Sequence, residues 1–316
     1  MDLKAATLLR SHAAQHKLSL ILSSSDQGKV APMMPIEVQE QNEKLLSLRP
    51  NDGMLKGIWT GALGGYGGTM CLLITGYLLF DGDIEFAWQV FLVAMAMLIV
   101  PFLWEVLTPS SAPILLSRRT REIYFQHEGE LYHTPWDDIR ALAYEYKMVH
   151  QNIGAMTNST LEILMQRFGK PDDHIFVALG LPMGKTLELQ QHVWAYLQSY
   201  MDRGPWLDEQ GNTTSSPEYV KQQIKLNQHH RRDDIKLPWR SFKETRSAGH
   251  LFQVCFYIIL YPASALWDFT RDTAIKRSHH TWPDEVLERL KPDGPTSRLI
   301  DIESELVQSS SSGDTR

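Results

Sequence analysis

Two long apolar runs dominate the hydropathy pattern of the chain. The first, about Gly57 to Phe80, contains no charged residue, and the second, Phe86 to Leu107, carries only Glu105, near its end. Roughly 20 apolar residues in a helix cross the ~30 Å of a bilayer's hydrocarbon, so each run predicts a membrane-spanning helix. Between them lies the acidic turn Asp81-Gly82-Asp83-Ile84-Glu85, and the pair reads as a two-helix transmembrane hairpin over 56–108. Trp59, Trp88 and Trp104 fall near the run ends, where interfacial anchors sit. Pro101 is expected to kink the second helix, and Glu105 to reach the headgroups.

The first run is rich in glycine. Glycine disfavours helix in water, but an unpaired backbone group in lipid costs more, which leaves helix as the spanning state. Gly57, Gly61 and Gly65 form overlapping small-x-x-x-small pairs, and Gly64 with Gly68 forms another. Such ridges let a second helix approach backbone to backbone. The expected partner is the second apolar run; a homodimer is the alternative. Lys44, Arg49 and Lys56 precede the pair, while Arg118, Arg119 and Arg121 follow it. Because positive charge is retained on the cytoplasmic side, both ends are expected inside, with only the acidic turn beyond the membrane.

From Ile114 the pattern changes to alternation, the period of half-buried strands. Ile123 and Phe125 alternate with Glu122, Tyr124 and Gln126, and His127-Glu128-Gly129 signals a hairpin turn. Leu142, Tyr144, Tyr146 and Met148 share one face; Leu161, Ile163, Met165 and then Ile175, Val177, Leu179 continue the series. About six short antiparallel strands are predicted. One amphipathic helix, roughly Gly184 to Asp202, follows with Leu189, Val193, Tyr196, Leu197 and Tyr200 at helical spacing. Gly204-Pro205 stops it. The fold class is therefore a membrane α-helical hairpin plus an α+β domain over 113–204.

The remaining stretches read less sharply. Residues 1–55 suggest a short amphipathic helix and then a polar linker through Pro50; the compact apolar run Leu18–Leu22 is shorter than the roughly 7–15 residues of a signal-peptide core. Residues 205–247 look like a polar linker. The apolar block Leu251–Trp267, within 248–268, is interrupted by Pro262 and flanked by basic residues on both sides. A helix in the inner leaflet or packed on the hairpin is preferred over a third span, because a single crossing would put one basic cluster outside. In 269–316, Pro283 with Asp284 and Glu285 starts a short helix, and a serine-rich disordered tail is expected from Gln308.

Composition narrows the chemistry. The 316-residue chain carries a net charge of −6, which argues against nucleic-acid binding. Its cysteines, Cys71 and Cys255, each sit in an apolar block, so no disulfide framework is implied. His229-His230-Arg231-Arg232-Asp233-Asp234 lacks the spacing of a metal site. Gly180-Leu181-Pro182-Met183-Gly184-Lys185-Thr186 imitates a phosphate loop, but it has three residues between its glycines where that loop needs four, and one is a proline without an N–H. It reads as a helix start. No nucleophile elbow or zinc-protease motif occurs, and the expectation is a protein without catalytic, cofactor or metal residues.

The segment Pro113-Ile114-Leu115-Leu116-Ser117-Arg118-Arg119-Thr120-Arg121-Glu122-Ile123-Tyr124-Phe125, running on to Pro135-Trp136-Asp137-Asp138-Ile139, resembles bacterial membrane-tethered pleckstrin-homology-like domains. More narrowly, the chain is similar to a family of uncharacterised bacterial proteins often encoded beside type VI secretion genes. The resemblance covers about Gly57 to Met201 plus Trp282-Pro283-Asp284-Glu285-Val286. It implies an antiparallel pleckstrin-homology-like sheet closed by a helix, in a multi-pass protein of the bacterial inner membrane. It further implies a protein partner, a toxin neutralised by immunity or an effector being loaded. The alternative is a scaffold that binds lipid headgroups or a peptide, with Arg118, Arg119 and Arg121 within reach of anionic lipid.

Overall fold

The computed structural model describes residues 3–25, 30–137, 139–150, 154–182, 184–205, 217–228, 231–278 and 281–305. Helix α1 (Leu3–Ala14) precedes strands β1 (Ser19–Ser23), β2 (Val38–Gln41) and β3 (Leu45–Leu48) and the short helix α2 (Asn51–Leu55). A π-wound stretch, Thr60–Gly68, runs into α3 (Thr69–Asp81), and α4 (Ile84–Leu107) follows. Strands β4 (Ile114–Ser117), β5 (Glu122–His127), β6 (Glu130–Pro135), β7 (Arg140–His150), β8 (Gly154–Arg167) and β9 (Lys170–Ala178) lead to α5 (Leu187–Arg203). Helices α6 (Pro217–Gln228), α7 (Arg231–Thr245), α8 (Ala248–Arg277) and α9 (Asp284–Leu290) come last. The chain divides into two compact units: Met1–Asn51 with Ser111–Ile224 and Thr281–Arg316, and Asp52–Ser110 with Lys225–His280.

The first unit is built on a curled antiparallel sheet of nine strands, ordered β1-β7-β8-β6-β5-β4-β3-β2, with β9 also paired to β8. A two-residue hairpin joins β5 to β6 through Glu128 and Gly129, at φ 51° and 83°. Two positive-φ residues make the turn whose twist matches the strands it joins. One face carries Leu46, Leu116, Ile123, Phe125, Ile163 and Met165 against Val193, Leu197 and Tyr200 of α5. Trp136 is fully buried there, its ring centroid 5.3 Å from that of Trp194. Thr186 caps α5 by accepting the Leu189 N–H, and Gly204, at φ 129°, ends it.

Three sequence expectations change in this unit. The supposed linker before Pro50 contributes β1, β2 and β3, whose pairings Ser19↔Tyr144 and Leu48↔Ile114 lie far away in sequence. Strands this short carry little periodicity of their own. Glu122 and Tyr124, assigned by alternation to a solvent face, are fully buried. Leu115, Tyr124 and Leu131 pack there with Trp282, Val286 and Leu299, so the C-terminal segment covers the second face of the sheet. Likewise α1 and the turn after it cover the Tyr144 face: His16 stacks on Tyr144 at 3.6 Å, and Tyr144 Oη and His12 both meet the carboxylate of Glu162.

In the second unit the helices Thr60–Asp81, Ile84–Leu107 and Ala248–Arg277 are all long and apolar enough to cross a membrane. Gly82, at φ 90°, terminates α3, and the Asp83 carboxylate accepts the Phe86 N–H to start α4. The glycine ridge has two partners. A side chain at Gly64 would strike Leu98 of α4, whereas one at Gly61 or Gly65 would strike Ala263 of α8, and one at Gly57 would strike Trp267. A Cβ at Gly68 would come within 3.5 Å of the Ala94 carbonyl of α4. Glu105 does not extend outward. It is buried, and its carboxylate accepts the N–H groups of Gly57, Trp59 and Thr60 and the Thr60 hydroxyl, capping the start of the π-wound stretch. The apolar block around Pro262 belongs to one continuous helix of 30 residues, and α7 is helical and packs on α8 within what read as linker. His229, His230, Asp138, Met183 and the tail from Gln308 lie outside the described residues.

Candidate anion-binding groove

Register brings the first pair of cations together. Leu45 pairs with Ser117, and the Arg118 N–H donates to the Lys44 carbonyl at 2.9 Å, so Lys44 and Arg118 sit side by side on neighbouring strands. The end of α5 is fastened to the same corner. Tyr200 Oη donates to the Asn42 carbonyl at 3.0 Å, Tyr196 Oη donates to Gln41, and the Gln41 amide donates to the Pro205 carbonyl. Burial, the largest influence, pushes the Tyr200 phenol up and keeps it a neutral donor.

The result is an open groove of about 510 Å³ lined by Glu43, Lys44, Arg118, Arg119, Arg203, Gly204 and Pro205. Small-ligand sites occupy roughly 300–1,000 Å³. Lys44 and Arg203 are exposed, Arg118 and Arg119 half-buried. Arg118 donates through Nη1 to the Glu43 carbonyl at 2.9 Å and lies 5.9 Å from the Tyr200 ring centroid. Its Nε is buried with no hydrogen-bond partner among the described residues. Arg119 is heavily engaged: it donates to the carbonyls of Pro292, Arg289 and Pro295 at 2.6, 2.7 and 3.1 Å, satisfying acceptors in the last turn of α9 and just after it. The C-terminus of α5 adds partial negative charge, which Arg203 offsets.

Arg121, grouped with these arginines by sequence, does not face the groove. Its guanidinium donates to Asp137 at 2.7 Å and Asp202 at 3.1 Å. Burial opposes its charge, but these carboxylates outweigh that and hold it above the ordinary arginine value. The Pro135-Trp136-Asp137 turn is thereby tied to the turn before β5, since the Trp136 N–H also donates to the Arg121 carbonyl at 2.8 Å. Trp282 packs on the outer face of the sheet, and Pro283 starts α9. Sequence reasoning missed Lys44 and Arg203 as site residues. Lys44 stood out only as a topology determinant, and Arg203 carried no signal of its own.

Among the described residues no three His, Cys, Asp or Glu side chains are placed to hold a metal ion. Cys71 and Cys255 are free. Searches against protein-family models, curated proteins and solved structures find no match to this chain.

Proposed function

We propose that this protein is a membrane-embedded binding protein whose sheet unit captures a phosphate-bearing anion in the groove formed by Lys44, Arg118, Arg119 and Arg203. The observation that carries the reading is the convergence of these cations on one groove, beside a buried Arg118 Nε that has no hydrogen-bond partner among the described residues. Each cation near an anionic surface contributes about 1 kcal/mol. In this reading α3 and α4 cross the bilayer as a pair, the basic residues before and after them stay on the cytoplasmic side of a bacterial inner membrane, and the curled sheet acts as a pleckstrin-homology-like module. The role is binding without catalysis.

The phosphate could belong to a lipid headgroup or to a soluble compound, and one titration separates them. The protein in neutral-lipid nanodiscs is titrated with inorganic phosphate and with a short-chain, water-soluble phosphatidylglycerol. Lipid binding that falls at least tenfold in Lys44→Glu/Arg203→Glu supports a headgroup site, and phosphate binding with the same sensitivity supports a soluble ligand. Wild-type protein that binds neither sinks the proposal. The link to type VI secretion and immunity rests on the sequence resemblance. Its test is co-expression with the adjacent toxin gene, where unrescued growth with no co-purification counts against it.

A further inference from the structure

The first unit is assembled from three stretches of chain, Met1–Asn51, Ser111–Ile224 and Thr281–Arg316. A single folded body lies on one side of a bilayer, because its interstrand and packing contacts cannot be made through hydrocarbon. The chain leaves this unit twice. The excursion Asp52–Ser110 contains two helices able to cross, an even number, and so returns to the same side. The excursion Lys225–His280 contains one among its described residues, α8. One crossing would strand the C-terminal stretch opposite the sheet it is built into. There Leu299 and Ile300 donate their N–H groups to the buried Glu122 carboxylate, and Arg119 holds the carbonyls of Arg289 and Pro292.

Parity is restored if α7 also crosses or if α8 does not. Helix α7 has 15 residues, about 22 Å at 1.5 Å each, short of a ~30 Å core. It also carries Lys236, Arg240, Lys243 and Glu244, ionisable side chains that a bilayer centre strongly disfavours. Crossing by α7 is excluded on both counts. The docking of α8 points the same way. Trp267 and Ala263 meet Gly57, Gly61 and Gly65, Phe269 stacks on Phe102 at 5.9 Å, and Ser278 Oγ accepts the Ser110 N–H at 3.1 Å. These contacts all fall in the half of the helix pair where the chain comes in and goes out. The rest of α8 exposes Phe252, Ile258 and Ile259, and α7 exposes Leu237 and Trp239 beside Lys236, Arg240 and Lys243. Apolar and aromatic residues beside cations are the composition of a helix that lies in a membrane interface.

We propose that α7 and α8 form a one-leaflet anchor that docks on an anionic lipid surface from the side holding the sheet unit, and that α8 is not a third crossing. This rests on the membrane-embedded reading, and the test separates the two. In a cysteine-free background (Cys71→Ser, Cys255→Ser), single cysteines at Glu43, Asp81 and Ser247 are labelled with a membrane-impermeant maleimide in right-side-out and inverted vesicles. The expected result is that Ser247→Cys labels from the same side as Glu43→Cys and opposite to Asp81→Cys. Labelling of Ser247→Cys with Asp81→Cys overturns the anchor while leaving the helix pair intact. Labelling of Asp81→Cys with Glu43→Cys instead overturns the crossing pair beneath it. For the lipid surface, an environment-sensitive fluorophore on Leu237→Cys should brighten several-fold in proteoliposomes containing phosphatidylglycerol, and less in neutral ones. Water-like emission in both overturns the docking.

Discussion

Lys185 Nζ lies 2.6 Å from Glu37 Oε1, with the Glu37 side chain fully buried. The same oxygen accepts the Leu181 N–H at 2.9 Å, and a Cβ at Gly180 would come within 2.6 Å of it. The glycine-and-lysine run before α5, which imitates a phosphate loop, thus wraps a carboxylate of its own chain. Breaking a buried pair from one side leaves an uncompensated charge and costs about 3–5 kcal/mol. Lys185→Met should lower stability by that amount in chemical denaturation, and Glu37→Leu/Lys185→Met should recover most of it.

The glycine ridge makes a graded prediction. A side chain at Gly65 would collide with the backbone of Ala263, whereas Gly76 has nothing within 4 Å of an added Cβ. Gly65→Val should lower the melting temperature in detergent, by an overpacking cost of about 1–3 kcal/mol or more. Gly76→Ala should leave it unchanged or raise it, since alanine is the better helix former.

The second face of the sheet predicts a pH window. His133, fully buried, lies 3.1 Å from Glu303 and 3.5 Å from Glu122. Burial opposes its charge, but the two carboxylates prevail and raise its pKa above the ordinary 6.5. Its contribution is therefore complete below about 6.5 and lost as pH climbs through the raised value. Burial likewise works against Glu303, yet hydrogen bonds from His133 and the Gly169 N–H hold it below the ordinary 4.5. That contribution is present above about 4.5 and lost as pH falls through the lowered value. Hydrogen-exchange protection at 299–305, taken relative to the intrinsic rate at each pH, should be greatest between these limits and fall on either side, with the acid limb absent in Glu303→Gln.

Arg121 should behave as a brace and not as a ligand contact. Arg121→Ala removes donors to Asp137 and Asp202. At exposures near 40% these charge-assisted bonds are worth about 1–2 kcal/mol. Denaturation should register that loss, while anion affinity at the groove stays within about twofold.

Several elements are legible in the residues because their signals are local. The uncharged run around Gly65 and the run ending at Leu107 mark apolar helices by composition alone, and the spacing of Val193, Leu197 and Tyr200 marks α5. The groove was legible only in part. Arg118 and Arg119 are conspicuous as neighbours, but Lys44 joins them through the pairing of Leu45 with Ser117, and Arg203 through the tie between Tyr200 and Asn42.

The order of residues by itself determined which segments prefer lipid to water, because that preference sums over consecutive side chains and needs no partner. Only the tertiary structure decided that Glu122 is buried, that β1 to β3 belong to the sheet, and that the C-terminal stretch returns to it. Each of these depends on a contact between residues many tens of positions apart, and a hydrogen bond or covered face of that kind leaves no mark on the local pattern of either side. The same long-range closure returns Leu299 to Glu122 across 177 positions of sequence.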